Sequence, residues 1–176
     1  MKLSQKLFGK DIAGLAWSFH VNPDSCANPS YYDNYIRLSA ISDYRKGMGV
    51  TFVLGDAEKN RIAGFVTLRA TSLVSEGENS AKYVEPSLEI AELAVDADYE
   101  HCGVGSILVS IAIDAADNLR RTQLGIRHVV VCADSAAVGF YKKLGFGDLS
   151  SLYEALHDGW NDDCAAMYIT MPENDM

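Results

Sequence analysis

The chain predicts an α/β (α+β) fold, a mixed and mostly antiparallel sheet flanked by helices, and three stretches carry that prediction. Ile107, Leu108, Ile111, Ala112, Ala115 and Leu119 fall on one helical face, with Ser110, Asp114, Asp117 and Arg121 on the other. That is the spacing of a helix laid on a sheet. The segment after it alternates, Ile126, His128, Val130 and Cys132 against Arg127, Val129 and Val131, and reads as a strand covered on both faces. Upstream, Thr51 to Leu54 and Arg61 to Arg69 flank Asp56-Ala57-Glu58-Lys59-Asn60 as the arms of a β-hairpin.

In chain order, Tyr31 to Arg45 has helical character, and the hairpin arms follow it. An apolar strand then ends in Leu93-Ala94-Val95-Asp96 and runs into Glu100-His101-Cys102-Gly103-Val104-Gly105-Ser106, where the long helix starts. Strand, helix and strand in succession imply a parallel crossover. Phe140-Tyr141-Lys142-Lys143-Leu144-Gly145-Phe146 follows, and Met167 to Met171 reads as a last strand. Asn22 to Ser30, Ser75 to Ser80 and His157 to Asp163 are rich in turn residues and are expected to be loops bordering a cleft.

The glycine-rich turn is the strongest chemical signal. Gly103 and Gly105 let the backbone approach a ligand without Cβ clashes, and the amides of Val104, Gly105 and Ser106 open the helix with no partner inside it. Together with the helix dipole they form an anion site, suited to a pyrophosphate gripped by backbone rather than by basic side chains. A plain tight turn is the competing reading of a G-x-G pattern taken alone.

These residues and their surroundings resemble the GCN5-related N-acetyltransferase (GNAT) superfamily. Its acetyl-CoA turn, Q/R-x-x-G-x-G/A after an apolar strand, is matched by Glu100-x-x-Gly103-x-Gly105, and its N-x-x-A-x-x-F-Y pattern by Asp134-Ser135-Ala136-Ala137-Val138-Gly139-Phe140-Tyr141. The likeness is specific over residues 88–147 and thinner at both ends. It implies an acetyl-CoA cosubstrate held by Leu93, Ala94, Val95, Cys102, Gly103, Val104, Gly105, Ser106, Asp134, Ala137, Phe140 and Tyr141, with no metal. Glu100 and Asp134 depart from the family's Gln/Arg and Asn. A carboxylate close to a pyrophosphate costs about 1–4 kcal/mol, so Glu100 is expected to turn into solvent.

Acetyl transfer requires the amine to lose a proton, the oxyanion to be stabilised and the thiolate to be protonated. The resemblance assigns the oxyanion to backbone amides around Val95 and the acid to Tyr141. It offers Glu89 as the base; Glu92 is the alternative, since residues three apart on a strand face opposite sides. His128, on a covered strand, reads as a core histidine.

A single acetyltransferase domain over 1–176 is expected, because 176 residues with 48% hydrophobic and 22% charged content bury one substantial core. There is no 18-residue apolar run, and Met1-Lys2-Leu3-Ser4-Gln5-Lys6 leads into Gly9, Lys10 and Asp11, so no signal peptide, no membrane partner and a cytoplasmic location are expected. Cys26, Cys102, Cys132 and Cys164 lack metal or disulfide spacing and are expected to be free thiols.

The acceptor is open. Fifteen Lys and Arg against 24 Asp and Glu give −9, which favours a cationic or neutral amine, such as a small amine or a peptide or protein amine. Tyr44 to Val53 with Gly64 to Leu68 resembles the toxin branch of the superfamily, which implies aminoacyl-tRNA as acceptor and an antitoxin partner. A basic patch of Arg37, Arg45, Lys46, Arg69, Lys142 and Lys143 would serve that reading. A non-catalytic acyl-CoA- or partner-binding domain is the third alternative. The family resemblance also implies a homodimer, for which no residue pattern speaks here.

Overall fold

The computed structural model describes residues 2–76, 79, 81–149, 153–155 and 164–173. The chain divides into two compact units, Met1–Arg69 with Ala91–Ile111, and Ala70–Ile90 with Ala112–Met176. Two strands and one helix have residues in both.

In the first unit, β1 (Leu3–Leu7), β2 (Val50–Asp56) and β3 (Arg61–Glu76) pair antiparallel in sequence order. The expected hairpin is thus present, and longer than expected. Its register slips between Leu54 and Gly55, which leaves Ala63 as a bulge. The Ala63 carbonyl accepts from Asp96 N at 3.0 Å, just past the end of β4 (Lys82–Val95), so the irregularity marks where β4 leaves the sheet. The predicted helical stretch comprises α1 (Pro29–Asn34), a π turn (Tyr35–Ser39) and α2 (Ala40–Lys46). Asn28 starts it by accepting from Tyr31 N, with Pro29 in the first turn, and Gly47 ends it at φ 70°. Phe19, Tyr35, Ile36, Val53, Ile62, Phe65 and Ala94 form this unit's core.

One close approach fixes the start of α3 (Val104–Thr122). A Cβ on Gly64 would meet the Ala94 carbonyl oxygen, Leu108 Cδ1 and Val104 Cγ1, each at 2.9 Å. Val104, Leu108, Val109, Ile111, Ala112 and Ala116 are the buried apolar residues along the helix, whereas Ile107 is 41% exposed. The apolar stripe is therefore turned about one residue from the one read in the sequence.

In the second unit β4 runs parallel to β5 (His128–Asp134), with Glu89 opposite Val130. This is the predicted crossover. β5 pairs antiparallel with β8 (Cys164–Thr170), and β8 with the short β6 (Gly147–Asp148), while β7 (Tyr153–Ala155) joins β3. Between β5 and β6 lies α4 (Val138–Lys143). His128 is a core histidine, with Nδ1 3.1 Å from Thr170 Oγ1 and Nε2 2.5 Å from Glu85 Oε2. One expectation is corrected: Cys132 and Cys164 form a disulfide pair across β5 and β8, their Cα atoms 5.5 Å apart, a distance a cross-link spans. Strand pairing, not sequence spacing, brings them together. Cys26 and Cys102 remain thiols. The expected loop His157 to Asp163 and residues 77, 78 and 80 of the expected loop Ser75 to Ser80 lie outside the described residues, while Ser75 and Glu76 are the end of β3 rather than loop.

Among the described residues no helix is long and apolar enough to cross a membrane, and no group of three or more His, Cys, Asp or Glu is placed to hold a metal ion.

Candidate active site

In the first unit the end of β4 brings Leu93, Ala94 and Val95 to a tightly fastened corner. Asp96, fully buried, accepts from Asp98 N and His20 N, each at 3.1 Å, and from Arg61 Nη2 at 3.0 and 3.1 Å. Arg61 also binds Asp98. That hydrogen bond and the charge of Arg61 hold the Asp98 carboxyl below its usual range. Tyr99 is buried beside them, its hydroxyl donating to Asp56 Oδ2 at 3.0 Å, with Lys59 and Arg61 over its ring. Burial first, then the bond to Asp56, pushes its phenol up to about 12. The side chains of Asp96, Arg61, Asp98, Tyr99 and Asp56 thus pin the residues immediately before the glycine turn.

The turn itself is built for exposed amides. His101 (φ 57°) and Gly103 (φ 81°) are left-handed, and nothing lies within 4 Å of a Cβ built on Gly103. Conformation rather than crowding is what calls for glycine there. The first i−4 bond of α3 runs from Ile107 N to Gly103 O at 3.1 Å, so the amides of Val104, Gly105 and Ser106 precede the helical ladder. Cys102, Gly103 and Ser106 are exposed and Gly105 is half-buried.

Glu100 does not turn into solvent. Its Oε2 accepts from Asn22 Nδ2 at 2.9 Å and its Oε1 from the Ser25 hydroxyl. Burial raises its pKa, but the hydrogen bonds from Ser25 and Asn22 and the nearby charge of His101 outweigh it, leaving the carboxyl below its usual range. Two donors from a single loop are what draw this side chain inward, a pairing across more than seventy residues that spacing does not reveal.

Glu92, half-buried on β4, accepts from the Tyr31 hydroxyl at 2.6 Å. The sequence reading missed this partner. Burial and then Glu92 keep the Tyr31 phenol well above its ordinary pKa. Tyr31 stacks on Tyr35 at 6.3 Å and Tyr35 on Phe65 at 6.0 Å. Beside this aromatic row an open groove of about 460 Å³ is lined by residues including Tyr31, Tyr35, Leu38 and Asp43. Its lining has one carboxylate and no Lys or Arg.

In the second unit Glu89 is 2% exposed on β4. Asp134 ends β5 and caps the next turn by accepting from Ala136 N at 3.0 Å, work an Asn would do equally. Ala137 and Phe140 are half-buried. Tyr141 is 4% exposed, its ring edge-on to Phe140 at 5.1 Å and to Phe146 at 5.4 Å. The structure therefore assembles Glu92, Leu93 to Val95 and the turn Cys102 to Ser106 within the first unit, and Glu89, Asp134, Ala137, Phe140 and Tyr141 within the second.

The anticipated basic patch is thinner than the sequence suggested. Arg37 is taken up by the Ala16 and Phe19 carbonyls and by Asp33, and Lys142 pairs with Asp148 at 2.9 Å.

The family model for the acetyltransferase (GNAT) family matches residues 11–146. Similar solved structures include a bacterial toxin (22% identity, TM-score 0.75, 96% of this chain and 90% of that one). Another is AtaT complexed with acetyl-methionyl-tRNAfMet (18%, 0.74, 96% and 95%), and a third is a mutant of KacT (17%, 0.72, 97% and 95%). No curated protein matches the sequence significantly.

Proposed function

The chain belongs to the acetyltransferase (GNAT) family, and from that premise we propose that residues 1–176 act as a single acetyltransferase domain moving an acetyl group from acetyl-CoA to a primary amine. The observation that carries this reading is the turn, where left-handed His101 and Gly103 present the amides of Val104 to Ser106 at the head of a 19-residue helix. Such an array of backbone donors suits the pyrophosphate of CoA.

The amine attacks the thioester carbonyl carbon, the C–N bond forms, and the C–S bond breaks as the tetrahedral intermediate collapses. Backbone amides of β4 around Val95 serve the oxyanion. Tyr141 gives its phenolic proton to the departing thiolate. Glu92 is favoured over Glu89 for the proton lost by the amine, because it is half-buried under an exposed tyrosine while Glu89 is closed to solvent.

The acceptor is a cationic amine. The groove beside Tyr31 offers aromatic faces and Asp43, a lining that attracts an ammonium through ring quadrupoles and charge and repels phosphate. A second reading, acetylation of the amine of an aminoacyl-tRNA, is favoured by one observation: the likeness to AtaT, solved with acetyl-methionyl-tRNAfMet, over 96% of this chain. An antitoxin partner belongs to that reading.

The experiment is an acceptor screen with acetyl-CoA, covering polyamines, aminoglycosides, amino acids, peptides and charged tRNAs, scored by thiol release and by the acetyl mass shift on the acceptor. Turnover on phosphate-free cationic amines is expected. Turnover on charged tRNA alone transfers the assignment to the second reading, and binding of CoA without turnover on any amine marks a non-catalytic domain.

A further inference from the structure

We propose that Glu100 is a positioning residue that clamps the segment Asn22–Ser25 to the acetyl-CoA turn, so that occupation of the turn sets the start of α1 and with it Tyr31. The proposal rests on the cofactor reading above, and extends it to communication between the cofactor turn and the acceptor groove.

The path between the two places, part hydrogen bond and part chain, is short and fastened at each step. Glu100 directly precedes the left-handed His101, and its two carboxylate oxygens take one donor each, from Asn22 and Ser25. Those donors sit in one turn, closed by Ser25 N donating to Asn22 O at 3.0 Å and by Asp24 N donating to Asn22 Oδ1 at 3.1 Å. Upstream, the same segment is stitched to the strand end through His20 N to Asp96 Oδ2 and Ala97 N to His20 O, at 3.1 and 2.9 Å. Val21 N reaches Asp33 Oδ1 on α1 at 2.9 Å. Downstream, two residues separate Ser25 from the cap Asn28, and α1 then carries Tyr31 to Glu92.

Charge explains why an acid suits this position. A carboxylate four residues before the first amide of an anion site is unfavourable if it faces the ligand, but here both oxygens are satisfied on the loop side. Bonds of this kind to an ionised acceptor contribute more than neutral ones. A glutamine has one acceptor oxygen, so it can accept from Asn22 only by turning its amide to the Ser25 hydroxyl, which must then rotate to accept, and the charge assistance at both bonds is lost. An occupied turn is held rigid by its ligand, and the clamp hands that rigidity to the loop, which is coupling through reduced local opening.

Hydrogen exchange with CoA itself as the probe tests this without a known acceptor. In the wild-type protein, saturating CoA should slow amide exchange in the turn 100–107, and also in 22–31, by about tenfold. In Glu100→Ala the turn should keep most of its protection while the CoA-dependent part in 22–31 disappears. Ser25→Ala and Asn22→Ala, changes at an exposed and a half-buried loop position, should each lose part of it and serve if Glu100→Ala folds poorly. Equal loop protection in wild type and in these variants overturns the clamp, as does a wild-type protein whose turn is protected while its loop is not. No protection at the turn overturns the cofactor reading itself, and the clamp with it.

Discussion

The Tyr31 hydroxyl donates to Glu92 Oε1 at 2.6 Å, joining the first turn of α1 to β4 across sixty-one residues of sequence. The pair couples an exposed aromatic ring to a half-buried carboxylate at the side of a groove with no basic lining residue, so its chemistry suits an ammonium that must be bound and then deprotonated.

Glu92→Gln keeps an acceptor for Tyr31 but removes the charge. On a cationic amine, kcat/KM should fall by roughly 10- to 100-fold with CoA affinity unchanged. Tyr31→Phe should cost less, about tenfold at most, mainly in KM. Steady-state kinetics on the amine found by the screen check both, and an unaltered kcat/KM for Glu92→Gln removes Glu92 from the acceptor side.

Tyr141→Phe retains the edge-on packing against Phe140 and Phe146 and loses the proton donor. Turnover should drop roughly 10²- to 10⁴-fold while CoA binding stays the same. Full turnover in this variant would reduce Tyr141 to a packing residue.

At the turn, Gly103→Ala forces a side chain into a left-handed backbone at a cost of about 1–2 kcal/mol, whereas Gly103→Asn, whose side chain tolerates that conformation, should recover much of the loss. Gly105→Asp adds negative charge beside the anion and should weaken CoA more than either. CoA-dependent shifts in melting temperature rank the three, and an order with Gly105→Asp the mildest contradicts the backbone anion site.

Stability should respond to pH on both sides. Asp98, Asp117 and Glu100 titrate below their usual range, so folding binds fewer protons than unfolding there. Their contribution is complete above about pH 5 and is lost as pH falls through the folded values. Tyr99, raised to about 12, acts with the opposite sign: its contribution is present below about pH 10 and is lost as pH climbs through its folded value. Urea midpoints across pH check this. Tyr99→Phe should flatten the alkaline limb, and an unchanged alkaline slope would mean that Tyr99 is not the group responsible.

What could be read from the sequence was local. The G-x-G turn at Gly103 and Gly105, the helix after it, the β5 alternation and the hairpin each leave a periodic or compositional trace within a dozen residues. β1 left none, because four of its five residues are exposed and a mostly solvated edge strand has no alternation to detect. Tyr31 with Glu92, Asn22 and Ser25 with Glu100, and Cys132 with Cys164 are contacts between elements distant in sequence. Topology creates them, so Glu100 read as a liability beside an anion until its two donors were in view.

Gly64 leaves the fold no slack where α3 meets the sheet. One of its three 2.9 Å neighbours is backbone, the Ala94 carbonyl, which a side-chain rotation cannot clear. A single methyl at position 64 would have to prise Val104 and Leu108 outward, tilting the helix whose leading amides form the turn. How far that turn can reach toward a diphosphate is thus calibrated on β3, by an atom the chain does not carry.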